Sequence, residues 1–281
     1  MRKLLLILLM LGVLTDVGAR RYALVIGIGD YPANSGWHKI NGDKDIPLVQ
    51  EILLSNHFEK REIITLQNEQ ATCSKIKTEL EKIITQVRVG DDVYIHFSGH
   101  GQQITDLNGD EPDGLDESWV PYDAQFAYKK DTYEGQNHIT DDQINAYLHR
   151  IRRNIGNKGK LVFVSDACHS GDITREEKEK QTGIRGTSDA FIIPQTKPTS
   201  FSYQLTIDWI VISACQSNEC NREYKGKGSL TQAMCALREK LSQLTSIELD
   251  EELKEYVNKN MPFSQTPYIE YNDARKNGKV L

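Results

Sequence analysis

Residues 161–171 read LVFVSDACHSG, an apolar run that leads into a cysteine among small and polar residues. Residues 92–101 read DVYIHFSGHG and have the same form, but a histidine stands near their end. Both runs are rich in β-branched and aromatic residues, which favours buried β-strands. Each strand is therefore predicted to end in a loop with a reactive side chain, Cys168 in one and His100 in the other.

Similar apolar runs occur along the rest of the chain. They lie at 22–28, 62–66, 209–213 and 267–271, and helical patterns lie between them at 45–55, 72–88, 140–151, 229–241 and 251–258. Strands that alternate with helices are typical of a mostly parallel sheet covered by helices. We therefore expect an α/β fold, a three-layer sandwich with a central, mostly parallel sheet flanked by helices. The 281 residues suit a single domain over 20–281.

The amino terminus has the pattern of a secretory signal peptide. Arg2 and Lys3 precede an apolar run at 4–14, and residues 17–19 read VGA, which offers a cleavage point. The run is shorter than the roughly 20 residues that a membrane-spanning helix needs. We expect residues 1–19 to be removed and the protein to be exported, to a periplasm or out of the cell. A membrane anchor or a buried first strand is the alternative.

Charge and cysteine content narrow the function classes. The chain carries 34 basic and 40 acidic side chains, a mild acidic balance that gives no reason to expect nucleic acid as a partner. None of the five cysteines is in C-x-x-C spacing, which argues against a structural zinc site. No segment after the signal peptide is apolar enough to cross a membrane, and we expect a monomer.

The two loops suggest a nucleophile and its base. In parallel sheets, ligands bind beyond the carboxyl ends of the strands, so neighbouring strands would bring Cys168 and His100 together. A thiol needs a base to become a thiolate near neutral pH, and histidine is the usual one. The backbone N–H groups of Gly101 and Cys168 are predicted to bind the oxyanion. The alternatives are a buried cysteine, a core histidine, or His169 as the base.

The order and wording of these motifs resemble a known family. HFSGHG at 96–101 followed by SDACHSG at 165–171 is similar to the paired catalytic motifs of metacaspases and related bacterial caspase-like cysteine peptidases. The similarity extends to YALVIGIGD at 22–30, ITDDQI at 139–144 and ISACQSNE at 212–219. The resemblance implies a caspase-like fold and an endopeptidase with a dyad of Cys168 and His100. Its chemistry requires no cofactor, and its partners are protein or peptide substrates.

The resemblance also implies a specificity pocket. Asp166 matches an acidic residue of the family's primary pocket, and Ser98 and Asp45 match other pocket-lining positions. An acidic pocket holds a cationic side chain through charge-assisted hydrogen bonds, so we expect cleavage after Arg or Lys. The alternative for Asp166 is a carboxylate that only holds its loop through backbone hydrogen bonds.

Calcium is a candidate activator. Asp116, Asp141 and Asp142 match calcium-binding positions of metacaspases, but Arg175 stands where a further carboxylate is expected, and Asp172 is the candidate substitute. Residues 106–117 are dense in the oxygen ligands that a hard cation requires. The alternative is a solvated acidic loop beside a helix start, where acidic residues are favoured in any case.

The polar stretch at 172–202 is predicted to be a mobile loop, because its first part has too few apolar residues to pack. It contains Arg175, Lys178, Lys180 and Arg185, which suit an Arg/Lys-directed pocket. We expect self-processing at Arg185–Gly186, the alternative being a charged loop that is never cut. Two other functions stay open, a catalytically quiet caspase-like binding module and a legumain- or clostripain-like peptidase of different specificity.

Overall fold

A six-stranded sheet forms the centre of the molecule. The computed structural model describes residues 18–168, 183–194, 207–216 and 219–281. With strands numbered in chain order, the sheet contains β1 (Arg21–Gly27), β2 (Ile63–Gln67), β3 (Asp92–Ser98), β7 (Leu161–Asp166), β8 (Ile210–Ser213) and β11 (Tyr268–Glu270). The strand order is β11-β8-β7-β3-β1-β2, and every neighbouring pair is parallel except β11 with β8. The predicted mostly parallel sheet is therefore confirmed.

In the described part of the chain, five helices cover the two faces of this sheet. They are α1 (Ile46–Ser55), α2 (Cys73–Gln86), α3 (Asp141–Ile155), α4 (Ser229–Ala236) and α5 (Ser246–Asn260), with short 3-10 helices at Gly42–Asp45, Lys60–Glu62 and Asn68–Gln70. α2 and α3 pack on one face of the sheet, and α1, α4 and α5 pack on the other. Both faces of the central strands are buried, which is why their sequences are continuous apolar runs. This is the expected three-layer arrangement.

Three helices begin at a threonine that caps them. The side chains of Thr72, Thr140 and Thr245 each accept a hydrogen bond from a backbone N–H in the first turn. Such bonds satisfy donors that have no partner inside the helix. The cap at Thr140 begins the helix predicted from residue 140, and it places Asp141 and Asp142 in the first turn of α3.

The excursion between β3 and α3 is more ordered than the sequence indicated. It contains a three-stranded antiparallel sheet of β4 (Gly101–Thr105), β5 (Leu115–Trp119) and β6 (Ile139–Thr140). Trp119 at the end of β5 is buried and stacks on Phe97 at 4.4 Å and on Phe163 at 5.4 Å between ring centroids. This stacking fixes the small sheet against the large one. A two-stranded hairpin, β9 (Glu223–Tyr224) with β10 (Lys227–Gly228), completes the strands.

The prediction that the stretch at 172–202 cannot pack is wrong for 183–194. Ile184, Arg185 and Phe191 are buried, and Phe191 exchanges backbone hydrogen bonds with β4. Burial is possible because Phe191 joins the apolar core, whereas the charge of Arg185 is met by buried carboxylates. The rest of this stretch, apart from these residues, lies outside the described part of the chain, as do Arg175, Lys178, Lys180, Asp172 and His169.

The predicted signal peptide also lies outside the described residues, except for its last two positions. Within the residues that the structure describes, no helix is both long enough and apolar enough to cross a membrane. The five cysteines all lie in the described ranges, and none of them forms a disulfide there.

Candidate active site

The topology brings the two predicted loops side by side. β3 and β7 are parallel neighbours, and Ser98 at the end of one pairs with Asp166 at the end of the other. The chain therefore leaves both strands at the same edge of the sheet and continues directly to His100 and Cys168. Both residues are almost completely buried.

The His100 ring is held in one orientation by aromatic neighbours and one hydrogen bond. It stacks on Trp37 at 4.8 Å, and the His38 ring meets it edge-on at 4.5 Å. Its Nε2 lies 2.9 Å from the carbonyl oxygen of His38, which can only accept, so Nε2 carries the proton. Nδ1 is then the basic nitrogen, and it is buried with no hydrogen-bond partner among the residues that the structure describes. Burial first, and then His38, lower the pKa of His100 well below its usual range, so the ring is a neutral base.

Two thiols meet at the end of the neighbouring strands β7 and β8. Cys168 Sγ donates to the carbonyl oxygen of Glu219 at 3.1 Å, and Cys215 Sγ donates to the same oxygen at 3.4 Å. A hydrogen bond with Cys168, together with burial, raises the pKa of Cys215. Cys215 therefore stays protonated and can donate a hydrogen bond to a thiolate on Cys168. Because it stays protonated, Cys215 is itself a poor nucleophile.

Three carboxylates surround a buried guanidinium beside Cys168. The guanidinium belongs to Arg185, which is fully buried; its Nη1 lies 2.6 Å from Asp45 and 3.2 Å from Asp166, and its Nε lies 3.1 Å from Glu223. Burial raises the pKa of Asp45 to about 6 against the opposing effect of Arg185. Burial also acts to raise the pKa of Asp166, but Arg185 and local hydrogen bonds outweigh it and leave the pKa lowered. The chain thus supplies one cation to a pocket of three carboxylates.

Each carboxylate of the pocket is fixed by further donors. Asp166 accepts hydrogen bonds from Asn221 Nδ2 and from both the N–H and the hydroxyl of Thr231. Glu223 accepts two hydrogen bonds of 2.6 Å from Asn41, and Asp45 accepts one of 3.0 Å from the N–H of Gly228. Ser98, the remaining predicted pocket residue, is buried and pairs through Oγ with Nε2 of His96 at 3.0 Å. Asp166 therefore holds its loop and also faces the guanidinium.

The chain around Arg185 lies across the site as an added strand. Ile184 forms an antiparallel bridge with Arg222, the N–H of Arg185 donates to Asn221 at 3.0 Å, and the N–H of Glu223 donates to Gly183 at 2.6 Å. The carbonyl oxygen of Arg185 accepts from the N–H groups of Cys168 at 2.9 Å and Gly101 at 3.4 Å. These are the two amides predicted to bind an oxyanion. The arrangement is that of a peptide bound by strand addition, with its arginine in the acidic pocket.

Sequence reasoning did not find Glu223 or His38. His38 contributes the carbonyl that orients His100, and its own Nε2 lies 3.2 Å from the carbonyl oxygen of Ile184. Glu223 belongs to β9, and the hairpin turns at Lys225 and Gly226, both of which have positive φ. The local signal was a short strand followed by a glycine-containing turn, but nothing in the spacing indicated that this strand lies beside Asp166.

The acidic residues predicted to bind calcium divide into two groups. Carboxylate oxygens of Asp106, Asp110 and Asp116 lie within 4.8 Å of one another, and so do those of Glu111, Glu117 and Asp141. Asp142 belongs to neither group and accepts a hydrogen bond from Asn108. Burial and neighbouring carboxylates raise the pKa of Asp116 to about 8 and that of Asp141 to about 7. Clustered oxygen donors of this kind fit a hard divalent cation.

Comparison with known proteins places this geometry in a family. Residues 20–278 match the model of the family described as Caspase domain. The chain belongs to this caspase-domain family. A crystal structure of a Geobacter sulfurreducens protein is similar with a TM-score of 0.65 over 92% of this chain and 97% of that one, at 22% identity. The expected caspase-like fold is therefore confirmed.

Curated relatives of this caspase-domain chain are metacaspases. It is 30% identical over 167 residues to Metacaspase-1A of Neurospora crassa and 31% identical over 170 residues to Metacaspase-1 of Arabidopsis thaliana. These alignments cover 57% and 58% of the chain, but 34% and 42% of the relatives. The chain thus spans less than half of the length of the curated relatives it matches. The predicted resemblance to metacaspases is confirmed at the level of the family.

Proposed function

We propose that the protein is a cysteine endopeptidase that cleaves peptide bonds after Arg or Lys, and that its own Arg185–Gly186 bond is one of its substrates. One observation carries the proposal. The side chain of Arg185 fills the acidic pocket while its carbonyl oxygen accepts hydrogen bonds from the amides of Cys168 and Gly101. Acyl transfer from an arginine requires a pocket for the cation, two hydrogen-bond donors to the carbonyl oxygen and a thiol nucleophile.

The proposed reaction uses the side chains beyond the ends of β3, β7 and β8. Nδ1 of His100 takes the proton of Cys168, and the hydrogen bond with Cys215 stabilises the thiolate. The thiolate attacks the carbonyl carbon of Arg185, and the oxyanion is stabilised by the two amides. His100 then gives the proton to the leaving amine of Gly186. Water hydrolyses the thioester, which frees the new carboxylate and restores Cys168.

Specificity for a cation follows from the pocket's charge. Asp45, Asp166 and Glu223 present acceptor oxygens on two sides of the guanidinium. A neutral asparagine side chain would leave these buried charges without a partner, which is costly. The pocket therefore favours the predicted Arg/Lys specificity over that of a legumain-like peptidase.

In the uncut chain, Arg185 occupies the pocket that a second substrate would need. Cleavage at Arg185–Gly186 would release the backbone of Gly186 and allow the segment ending at Arg185 to leave the site. Self-processing is then a step that precedes cleavage of other proteins, which are the proposed substrates.

Calcium is proposed as an activator that acts away from the thiol. Asp106, Asp110 and Asp116, or Glu111, Glu117 and Asp141, would hold the ion with carboxylate oxygens. Bound calcium would neutralise carboxylates that raise one another's pKa and so stabilise the turn between β4 and β5. β4 begins at Gly101, one of the two amides at the Arg185 carbonyl, so order in this small sheet bears on the site. Export remains a prediction from the pattern of residues 1–19.

The test compares two cysteine variants of the full chain. Wild type should yield a fragment that begins at Gly186, Cys168→Ala should stay intact, and Cys215→Ala should still be cut. Fragment masses are followed over time, together with turnover of quenched peptides that contain Arg, Lys, Ala or Asn at the cleavage position. If the Cys168→Ala chain is cut at the same bond and at the same rate as wild type, another protease makes the cut. Wild type that turns over none of the peptides would favour the quiet binding module.

A further inference from the structure

Gly186, the residue directly after the proposed cleavage point, has no room for a side chain. It is buried, and a Cβ placed on it would lie 2.2 Å from the carbonyl oxygen of Cys168. The same Cβ would lie 2.9 Å from the carbonyl carbon of Cys168 and 3.1 Å from its Cβ. The first two distances are shorter than those between a real Cβ and its neighbours, and both are to backbone atoms, so one of the two backbones would have to move.

The conflict comes from space and not from backbone conformation. Gly183 has a φ of +86°, which favours glycine for its own reason, but Gly186 does not lie in that left-handed region. Any L-residue could therefore adopt the backbone of Gly186 in open space. Only the approach to Cys168 excludes it.

Neither partner of the clash can shift without loss. Moving Cys168 would displace the N–H that donates to the carbonyl oxygen of Arg185, and with it the attacking sulfur. Moving Gly186 would draw Arg185 back, against its two backbone hydrogen bonds and its ion pairs with Asp45 and Asp166. A bound peptide with a side chain directly after its arginine therefore cannot fill the pocket, bind the two amides and make room for that side chain at the same time.

We propose that the site selects glycine immediately after the cleaved arginine, so that its substrates are extended segments that contain an Arg-Gly bond. This rests on the proposed function, since it needs Arg185–Gly186 to lie as a substrate lies. It adds a second requirement to the cation pocket, and the carbonyl of Cys168 is the group that imposes it. Residue 187 and those after it are not constrained by this contact.

The experiment uses three quenched peptides and the full chain after self-cleavage. The peptides follow residues 183–188 and read Gly-Ile-Arg-Gly-Thr-Ser, Gly-Ile-Arg-Ala-Thr-Ser and Gly-Ile-Ala-Gly-Thr-Ser. We expect kcat/KM for the Arg-Ala peptide to be about 100-fold below that for the Arg-Gly peptide, because a misplacement of about 1 Å costs that much. Equal values for the two arginine peptides would overturn the inference and leave the proposed function intact. Cleavage of neither would overturn the proposed function, and the inference with it.

The same requirement can be tested within the chain. Gly186→Ala should slow self-cleavage after Arg185 by a similar factor, whereas Ser188→Ala, at an exposed position two residues further on, should leave the rate unchanged. Thermal unfolding of both variants shows whether they fold. A folded Gly186→Ala chain that cuts itself at the wild-type rate would contradict the proposal.

Discussion

Two regions of the molecule gather carboxylates, and they differ in the charge that faces those carboxylates. In the pocket beside Cys168, Arg185 lowers the pKa of the fully buried Asp166, whereas burial still raises the pKa of Asp45 to about 6. In the acidic groups of β5 and α3, burial and then the neighbouring carboxylates raise the pKa of Asp116 to about 8. A guanidinium of the chain thus offsets part of the cost of burying carboxylates in the pocket, and a cation from solution would do the same in the acidic groups.

Removal of the internal cation should have the largest effect. Arg185→Ala in the Cys168→Ala chain leaves Asp45, Asp166 and Glu223 buried together, and we expect a loss of about 3–5 kcal/mol in the free energy of unfolding. Arg150→Ala is the control, because its ion pair with Glu81 is half exposed and should contribute less than about 1 kcal/mol. Urea unfolding measures both. Equal losses of unfolding free energy in the two variants would mean that Arg185 stabilises the fold no more than an arginine in a surface ion pair does.

Neutralising one carboxylate in each region should separate their roles. Asp166→Asn keeps the shape of the side chain but loses the charge that faces Arg185, and we expect self-cleavage to slow about 10- to 100-fold. Asp116→Asn removes a carboxyl group that must take up a proton when the chain folds at neutral pH, so the chain without calcium should become more stable. Fragment analysis and thermal unfolding of both variants test this. The contrast fails if Asp116→Asn destabilises the calcium-free chain as much as Asp166→Asn does.

The pH dependence of stability should come from the acidic groups. Asp116 and Asp141 have pKa values of about 8 and about 7 in the folded chain, above the unfolded value of 3.8. Between these limits the folded state holds more protons, so stability falls as the pH rises from 4 towards 8, by at most about 1.4 kcal/mol per pH unit for each group. Calcium, which binds the ionised form, should flatten the slope.

Unfolding of the Cys168→Ala chain between pH 5 and pH 9, with calcium or with chelator, measures this slope. Asp116→Asn should flatten the slope in chelator. If calcium does not change the slope, these residues do not bind calcium. If Asp116→Asn does not change the slope in chelator, Asp116 is not its source.

The strands, and the positions of Cys168 and His100 beyond the ends of neighbouring strands, could be predicted because their signals are local. Each lies where an apolar run meets a glycine-containing turn, and parallel strands bring such ends together. The position of Arg185 could not be predicted, because its burial depends on Asp45, which is 140 residues away in the chain, and on Glu223 in the hairpin. A polar stretch with one apolar residue beside an arginine has the composition of a loop.

The grouping of the acidic residues was predicted only in part for a similar reason. Asp141 and Asp142 are consecutive in the first turn of α3, and consecutive helical residues do not face the same point. The structure brings Glu117 to Asp141 through the pairing of β5 with β6, which sequence spacing does not reveal.

The smallest expected effect distinguishes these two neighbours. Asp141 belongs to a group of three carboxylates, whereas Asp142 accepts a hydrogen bond from Asn108 and lies outside both groups. Asp141→Asn removes a proposed ligand and should weaken calcium binding more than Asp142→Asn, which removes only a supporting charge and should cost about tenfold or less. Calcium titration of both variants in the Cys168→Ala chain, followed by calorimetry, gives the two affinities. If Asp142→Asn proves the more damaging change, the ion is held by the residues that match metacaspases and not by the group around Glu117. The acidic region would then have to rearrange on binding, unlike the pocket, which already holds its cation.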